Sequence, residues 1–323
     1  MRFYKLRKTW NSEIYQGVNK TTNYFEGWYF KIVDKETLNS FSIIPSVSFG
    51  KNQDESKASI QILDGKNSNS YNFDFSIKDF YFSKNAFEIK IGENYFSQNK
   101  LSINISNTIK AKLSFNDLTP WPIALLSPGA MGWFAFLPFM ECYHGVVSLT
   151  HKIQGFLEIN GKKIDFTGGK GYIEKDYGSS FPTSWIWMQS NHFKDENTSL
   201  MCSIAKIPIL KGSFTGFICG LYFNKTLYKF ATYTGAKLVT LNTAGNIVNI
   251  SLINKKNELQ IEGKTQNKGK LISPKNGIMK NQVLESLTAE VTIKLYKIVG
   301  KVKTLIYEDS GINTGMEIMW DSF

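Results

Sequence analysis

"YFEGWYFKIVDKETLNSFSIIP", residues 24–45, decides how the rest of the chain is read. Aromatic side chains crowd its first part, the polar stretch DKETLNS interrupts it, and a serine-rich apolar run closes it at Pro45. A period of two separates two unlike faces, as expected of a half-buried strand. The same order returns in "TSWIWMQSNHFKDENTSLMCSIAKIP", residues 183–208: aromatic strand, polar turn, then an apolar strand ending at Ile207-Pro208. Recurrence at about half the chain length predicts two similar β-domains.

Short alternating or β-branched runs fill the sequence between and beyond these two stretches. They include "ASIQIL" (58–63), "YNFDFSI" (71–77), "FEIKI" (87–91), "LSINIS" (101–106), "IKAKLSF" (109–115), "HGVVSLT" (144–150) and "QGFLEIN" (154–160). "FTGFICGLYF" (214–223), "AKLVTLNT" (236–243), "IVNISLIN" (247–254), "ELQIEGK" (258–264), "AEVTIKLYK" (289–297) and "KTLIYEDS" (303–310) continue the series. Polar turns separate them, and "INGKK" (159–163) has the Asn-Gly of a tight hairpin. Only "IMKNQVLESL" (278–287) reads as helix. The expectation is therefore an all-β chain built of two antiparallel barrels, or strongly curved sheets packed together, with at most one or two short helices. Closing a sheet into a barrel also removes its exposed edges. The uncharged run from Leu118 to Met140 is placed as the connection between domains 1–130 and 131–323. It is long enough to cross a bilayer, but Pro120, Pro122, Pro128 and Pro138 break any helix there. It reads as a buried or interface-lining connection, with a loop dipping into a lipid surface as the alternative.

Composition narrows the function classes. Of the 323 residues, 42% are apolar and 14% aromatic, enough for a sizeable core. Lysine and arginine outnumber the acids by 38 to 27, giving a net charge of +11. The basic residues are scattered and no nucleic-acid motif is present, so no nucleic-acid partner is expected. The positive excess leaves peripheral contact with an anionic membrane surface open. The three cysteines (Cys142, Cys202, Cys219) have neither CxxC spacing nor an even number, which argues against structural zinc and suits a reducing compartment. The basic N-terminus is followed by no apolar signal-peptide segment, so a cytoplasmic location is expected. No obligate protein partner is evident.

Three clusters carry chemistry. In "NYFEGWYFK" (23–31), Glu26 shares a strand face with Trp28, where a buried carboxylate must be paired or lose its charge. Local hydrogen bonding of Glu26 is the competing reading. In "MECYHG" (140–145), Cys142 and His144 fall on one face and Glu141 and Tyr143 on the other. Strand neighbours two apart seldom reach hydrogen-bond geometry, so a Cys–His nucleophile is disfavoured against a structural His144. In "GGKGYIEKDYGSSFPTSWIWMQSN" (168–191), Tyr172, Glu174 and Asp176 share a face if the segment is extended. Two carboxylates held together raise the pKa of one, which then serves as an acid. A solvated turn is the alternative. Beyond it, Trp185, Trp187, Gln189 and Asn191 share a face with broad apolar surface and two amides. They are expected to line the lumen of the second barrel and hold a small lipophilic ligand, unless they form a core face with a wet end.

Together, "YFEGWYFKI", "MGWFAFLPFMECYHGVVSL", "GYIEKDYGSSFPTSWIWMQSNHF" and the closing "GMEIM" (315–319) resemble the tocopherol cyclase-like family. The resemblance implies paired lipocalin-like barrels, an apolar site for prenylated compounds, and acid-initiated chemistry without metal or cofactor. An acid protonates a prenyl double bond, and a phenol oxygen closes a ring on the cation; in hydratase relatives water attacks instead. A non-catalytic carrier or sensor of an apolar ligand is the alternative. Carried over by position, the pattern Gly-Tyr-Xaa-acid sits at Gly171 to Glu174. This implies Glu174 as proton donor, Asp176 or Tyr172 tuning it, and His144 supporting it. Trp185, Trp187, Gln189, Asn191, Glu26 and Trp28 are the implied substrate contacts.

Overall fold

A computed structural model describes residues 8–106, 108–138, 140–209 and 212–320. The chain is all-β and forms two large antiparallel sheets. The strands of the first part are β1 (Tyr24–Val33), β2 (Ser40–Phe49), β3 (Lys57–Asp64), β4 (Asn69–Ser76), β5 (Phe80–Phe82) and β6 (Glu88–Ile91). They continue as β7 (Asn94–Ser97), β8 (Lys100–Ile105), β9 (Ile109–Asn116), β10 (Cys142–Ile159), β11 (Lys162–Asp165) and β12 (Lys170–Gly178). The second part holds β13 (Trp185–Ser190), β14 (Ser199–Ile209), β15 (Gly212–Phe223), β16 (Thr226–Ala231) and β17 (Lys237–Ala244). It ends with β18 (Ile247–Ile253), β19 (Asn257–Lys264), β20 (Gly269–Lys275), β21 (Ile278–Val299) and β22 (Val302–Met319).

Both sheets follow one plan. The first pairs in the order β4-β3-β2-β1-β12-β10-β9-β8-β7-β6-β5, and the second in the order β16-β15-β14-β13-β22-β21-β19-β18-β17. In each, the opening strand pairs with the closing one: β1 with β12, and β13 with β22. The two ends of each path are also neighbours in sequence. A three-residue 3-10 turn joins β4 to β5 (Ile77–Asp79), and another joins β16 to β17 (Thr232–Thr234). A turn that short brings the edges of each sheet together at one corner, so each sheet curls back on itself. The stretches 24–45 and 183–208 occupy equivalent places, as the first two strands of their sheets. Their prolines match as well, each on the second strand and paired with the third: Pro45 with Ile60, and Pro208 with Ser213. The β1–β2 register lapses between Gly27↔Ser46 and Phe30↔Ile43, around Pro45, which has no N–H to give.

The chain divides into two compact units at Phe181/Pro182, not near residue 130. Residues Lys270–Gln282 also belong to the first unit. The reason is the ladder between β1 and β12. The first sheet is incomplete until β10, β11 and β12 have been added, and these strands occupy 142–178. The apolar run 118–140 therefore connects β9 to β10 within the first unit and does not join two domains. The segment 278–287 is strand, not helix. Its apolar spacing fits either period, and cross-strand pairing decides: Glu285 opposes Glu317 and Ser286 opposes Met316. The Asn160-Gly161 hairpin is found between β10 and β11, with positive φ at both residues (49° and 77°). No helix among the described residues is long and apolar enough to cross a membrane.

Each unit has its own apolar core. In the first, Trp28, Phe30 and Ile32 of β1, Phe41, Ile43 and Val47 of β2, and Ile173 of β12 point into one cluster. In the second, Ile186 and Met188 of β13 join Leu200, Cys202 and Ile204 of β14. The first core contains a charge. Lys175 of β12 and Glu26 of β1 are both fully buried and form an ion pair. The Lys175 ammonium also donates to the Ile14 carbonyl at 2.5 Å and lies 4.7 Å from the centre of the Trp28 ring. Burial pulls its pKa down while Glu26 pushes it up, and the net shift is downward. The Glu26 carboxylate accepts from the Gln16 and Gly17 amides (2.8 and 2.9 Å) and from the Tyr24 hydroxyl. The Trp28 indole N–H donates to the Glu13 carbonyl at 2.8 Å. Residues 13–17 are thus tied to the inside face of β1 and β12.

A buried pair of this kind is costly to break from one side only. Lys175→Met is expected to lower the unfolding free energy by about 3–5 kcal/mol, because the Glu26 carboxylate then lies buried without its cation. The double variant Glu26→Gln/Lys175→Met should lose clearly less in the same denaturant titration. Equal losses would contradict the pairing.

Candidate active site

The period of two along β12 puts Lys175 on the core face and Tyr172, Glu174 and Asp176 on the opposite one. The register between β10 and β12 sets His144 opposite Asp176 and Val146 opposite Glu174. The register between β1 and β12 sets Tyr29 opposite Glu174 and Lys31 opposite Tyr172. Gly171, next to Tyr172, faces His151. A side chain there would meet the His151 ring at 2.2 Å, so glycine is what lets β12 lie flat against β10. The strands supply rigid backbone, and the four side chains expected to act together do meet.

The His144 Nδ1 lies 2.9 Å from Asp176 Oδ1, and its Nε2 lies 3.6 Å from Glu174 Oε2. The Tyr172 hydroxyl donates to the same Glu174 oxygen at 2.5 Å. Tyr172 is fully buried, Glu174 is buried, and His144 and Asp176 are partly buried. Burial works against the charged imidazole, but Asp176, Glu174 and the hydrogen bond to Asp176 outweigh it and raise the His144 pKa to about 9. At neutral pH His144 is thus an imidazolium, set between the side chains of Asp176 and Glu174. Burial, followed by the charge and hydrogen bond of Glu174, pushes the Tyr172 phenol well above its ordinary range, so it remains a donor. Burial and the nearby Asp176 do the same to Cys142, whose sulfur lies 3.9 Å from Asp176. A thiol kept protonated is a poor nucleophile. The ring of Tyr29 meets that of Tyr172 edge-on, with centroids 6.4 Å apart, beside the acid.

His144, Glu174 and Asp176 also bring one nitrogen and two carboxylate oxygens within 4.8 Å of one another. That is a donor set a divalent cation can use. To bind there it would compete with the proton held by His144.

The remaining expected contacts lie elsewhere. Glu26 and Trp28 face the core of the first unit, where residues 13–17 and Lys175 saturate their polar atoms. Glu26 thus bonds to residues 16, 17 and 24 nearby and to Lys175 across the β1–β12 ladder. Trp185, Trp187, Gln189 and Asn191 belong to the second unit and do not line its interior, because Ile186 and Met188 fill that side of β13. Trp187, Gln189 and Asn191 are nonetheless buried on the opposite face, and the Trp185 indole N–H donates to Glu317 at 2.5 Å. Tyr29, which alternation did not group with the acid cluster, stands beside Tyr172. Glu317 faces Glu285 across the β21–β22 ladder.

Comparison with known proteins follows the same lines. A chloroplastic protein of Oryza sativa subsp. japonica, named a probable tocopherol cyclase, is 26% identical over 142 residues. The chloroplastic tocopherol cyclase of Zea mays is 25% identical over the same length. Each match covers 43% of this chain but only 30% of the relative. Among solved structures, CghA with Sch210972 shares the fold at a TM-score of 0.58, with 7% identity, over 93% of this chain and 89% of that one. The sequence pattern of the tocopherol cyclase-like family matches residues 97–319, which include every strand from β8 to β22 and the whole His144–Glu174–Asp176 cluster. On that match, the chain belongs to the tocopherol cyclase-like family.

Proposed function

We propose that this protein catalyses acid-initiated addition across a prenyl double bond of a lipophilic quinol-type substrate, by cyclisation or hydration. The observation that carries the reading is the buried group of Tyr172, Glu174, Asp176 and His144 on one face of β12 and β10. Two carboxylates and one imidazole reach zero net charge when they share two protons. In the proposed working state His144 keeps one, paired with Asp176, and Glu174 takes up the other before the substrate reacts. In the proposed reaction the Glu174 carboxyl proton passes to one alkene carbon, whose π pair becomes the new C–H bond. The tertiary cation left behind is captured by the substrate's phenol oxygen, or by water. The proton released from that oxygen returns to the Glu174 carboxylate, so the cycle needs no redox partner. Tyr172 orients Glu174, and the rings of Tyr29 and Tyr172 present π density beside the acid, where a cation gains from it. A dry surrounding keeps stray water from the cation in the cyclisation case.

The test uses the full chain with a prenylated hydroquinone and reads ring closure and hydration by mass and retention time. Glu174→Gln keeps the Tyr172 hydrogen bond but has no proton to give to carbon. It is expected to lower turnover by about a hundredfold or more. Unchanged turnover would remove Glu174 from the mechanism, and binding without any product would make the protein a carrier.

The proton on His144 is also a stability statement. Its folded pKa of about 9 lies above the ordinary 6.5. Its contribution is therefore complete below pH 6.5 and is lost as pH rises through 9, by an amount on the order of 3 kcal/mol. Urea titrations should show a stability gap between the wild type and His144→Gln that shrinks from pH 6 to pH 9.5. A gap independent of pH would contradict a charged His144.

A further inference from the structure

The run from Leu118 to Met140 forms an irregular excursion of the first unit between β9 and β10, and it contains no charged residue. Near its middle, Ala124 and Ser127 bond to each other twice, N–H to carbonyl, at 3.0 Å each. This makes a two-residue tip of Leu125 and Leu126, whose side chains are 78% and 76% exposed. Tight turns are ordinarily built from Asn, Gly, Asp or Pro, each for a backbone reason that leucine does not meet. Two leucines this exposed bury little surface in the fold. Ile123, Trp133 and Phe136 are exposed in the same excursion. Trp10 gathers the pieces: its indole N–H donates to Ala124 at 3.2 Å, and its ring meets Phe136 edge-on at 5.3 Å. Tip and 3-10 turn (Gly132–Phe136) therefore form one apolar patch around a single indole. The chain enters Trp10 from a stretch that carries Arg2, Lys5 and Arg7 and no acid before Glu13.

We propose that this patch docks on an anionic lipid bilayer. In this arrangement Leu125 and Leu126 insert below the headgroups and Trp133 sits at their level. The chain's net charge of +11 supplies the attraction to anionic headgroups. An apolar tip on a strongly basic chain is the two-part signal that stable peripheral binding needs. Uncharged loops with exposed Leu and Trp mark interaction sites, whereas scattered exposed apolar residues do not. The proposal does not depend on the reaction assigned to Glu174.

Sedimentation of the full chain with vesicles tests it. The wild type is expected to bind vesicles of phosphatidylcholine with phosphatidylglycerol, and to bind pure phosphatidylcholine more weakly. Leu125→Asp/Leu126→Asp should weaken binding by about tenfold or more. Leu38→Ser, which removes a leucine exposed in the turn between β1 and β2, should not change it. Both tip residues are exposed, so the double variant should melt at the wild-type temperature; Leu125→Ser/Leu126→Ser serves if it does not. Wild-type protein that ignores anionic vesicles, or tip variants that bind like the wild type, would overturn the proposal. So would equal binding to both lipid mixtures. A wild-type dimer that the tip variants dissociate without lipid would also overturn it, and would assign the patch to a second copy of the chain.

Discussion

The salt bridge between Lys175 and Glu26 fixes the strand on which the candidate site is built. It lies wholly within the core of the first unit, with the ammonium bonded to Ile14 and set against Trp28. The register of β12 against β1 follows from it. A slip of one residue would turn Lys175 out of the core and drive Glu174 in, leaving a buried ammonium without its carboxylate and a carboxylate among aliphatic side chains. One strand thus serves two purposes by alternation. Its odd positions, Ile173 and Lys175, close the core; its even positions, Tyr172, Glu174 and Asp176, form the acid cluster.

The same strand completes the first sheet. Because β12 pairs with both β1 and β10, it brings together residues from three distant parts of the chain: Tyr29, His144 and the Tyr172–Asp176 run. Precision there comes from regular ladder backbone rather than from loops, and it holds the imidazole 2.9 Å from Asp176. The charge of His144 is a result of that closeness. Burial alone would discharge it, as it does His151, whose pKa falls to about 3 where no carboxylate is near. Two buried histidines on one strand, β10, are thus driven in opposite directions by their neighbours.

Much of this was legible in the sequence, and what was not had one common cause. Short alternating runs gave the strands, the repeated order of 24–45 and 183–208 gave two equivalent β-units, and alternation grouped Tyr172 with Glu174 and Asp176. Alternation groups residues by face but does not say which face is inside. Trp185 and Trp187 were therefore assigned to a lumen that Ile186 and Met188 occupy, and Glu26 to a ligand rather than to Lys175. The unit boundary was misplaced because closure of the first sheet depends on a pairing between residues about 145 positions apart (Tyr29↔Glu174, for example), which no local signal carries. The strand at 278–287 looked helical because its apolar spacing fits either period, and only its pairing with residues 316–317 of the next strand decides.

The account stands on a charged imidazole set between Asp176 and Glu174. Long-range proton–nitrogen NMR of the three histidines reads that charge directly, with His144→Gln to assign the signal. One ring, absent from the variant, should keep both nitrogens protonated through pH 8 and lose a proton only near pH 9. If all three rings are neutral at pH 8, His144 does not carry the charge assigned to it, and the pairing with Asp176 and Glu174 that organises the cluster is wrong.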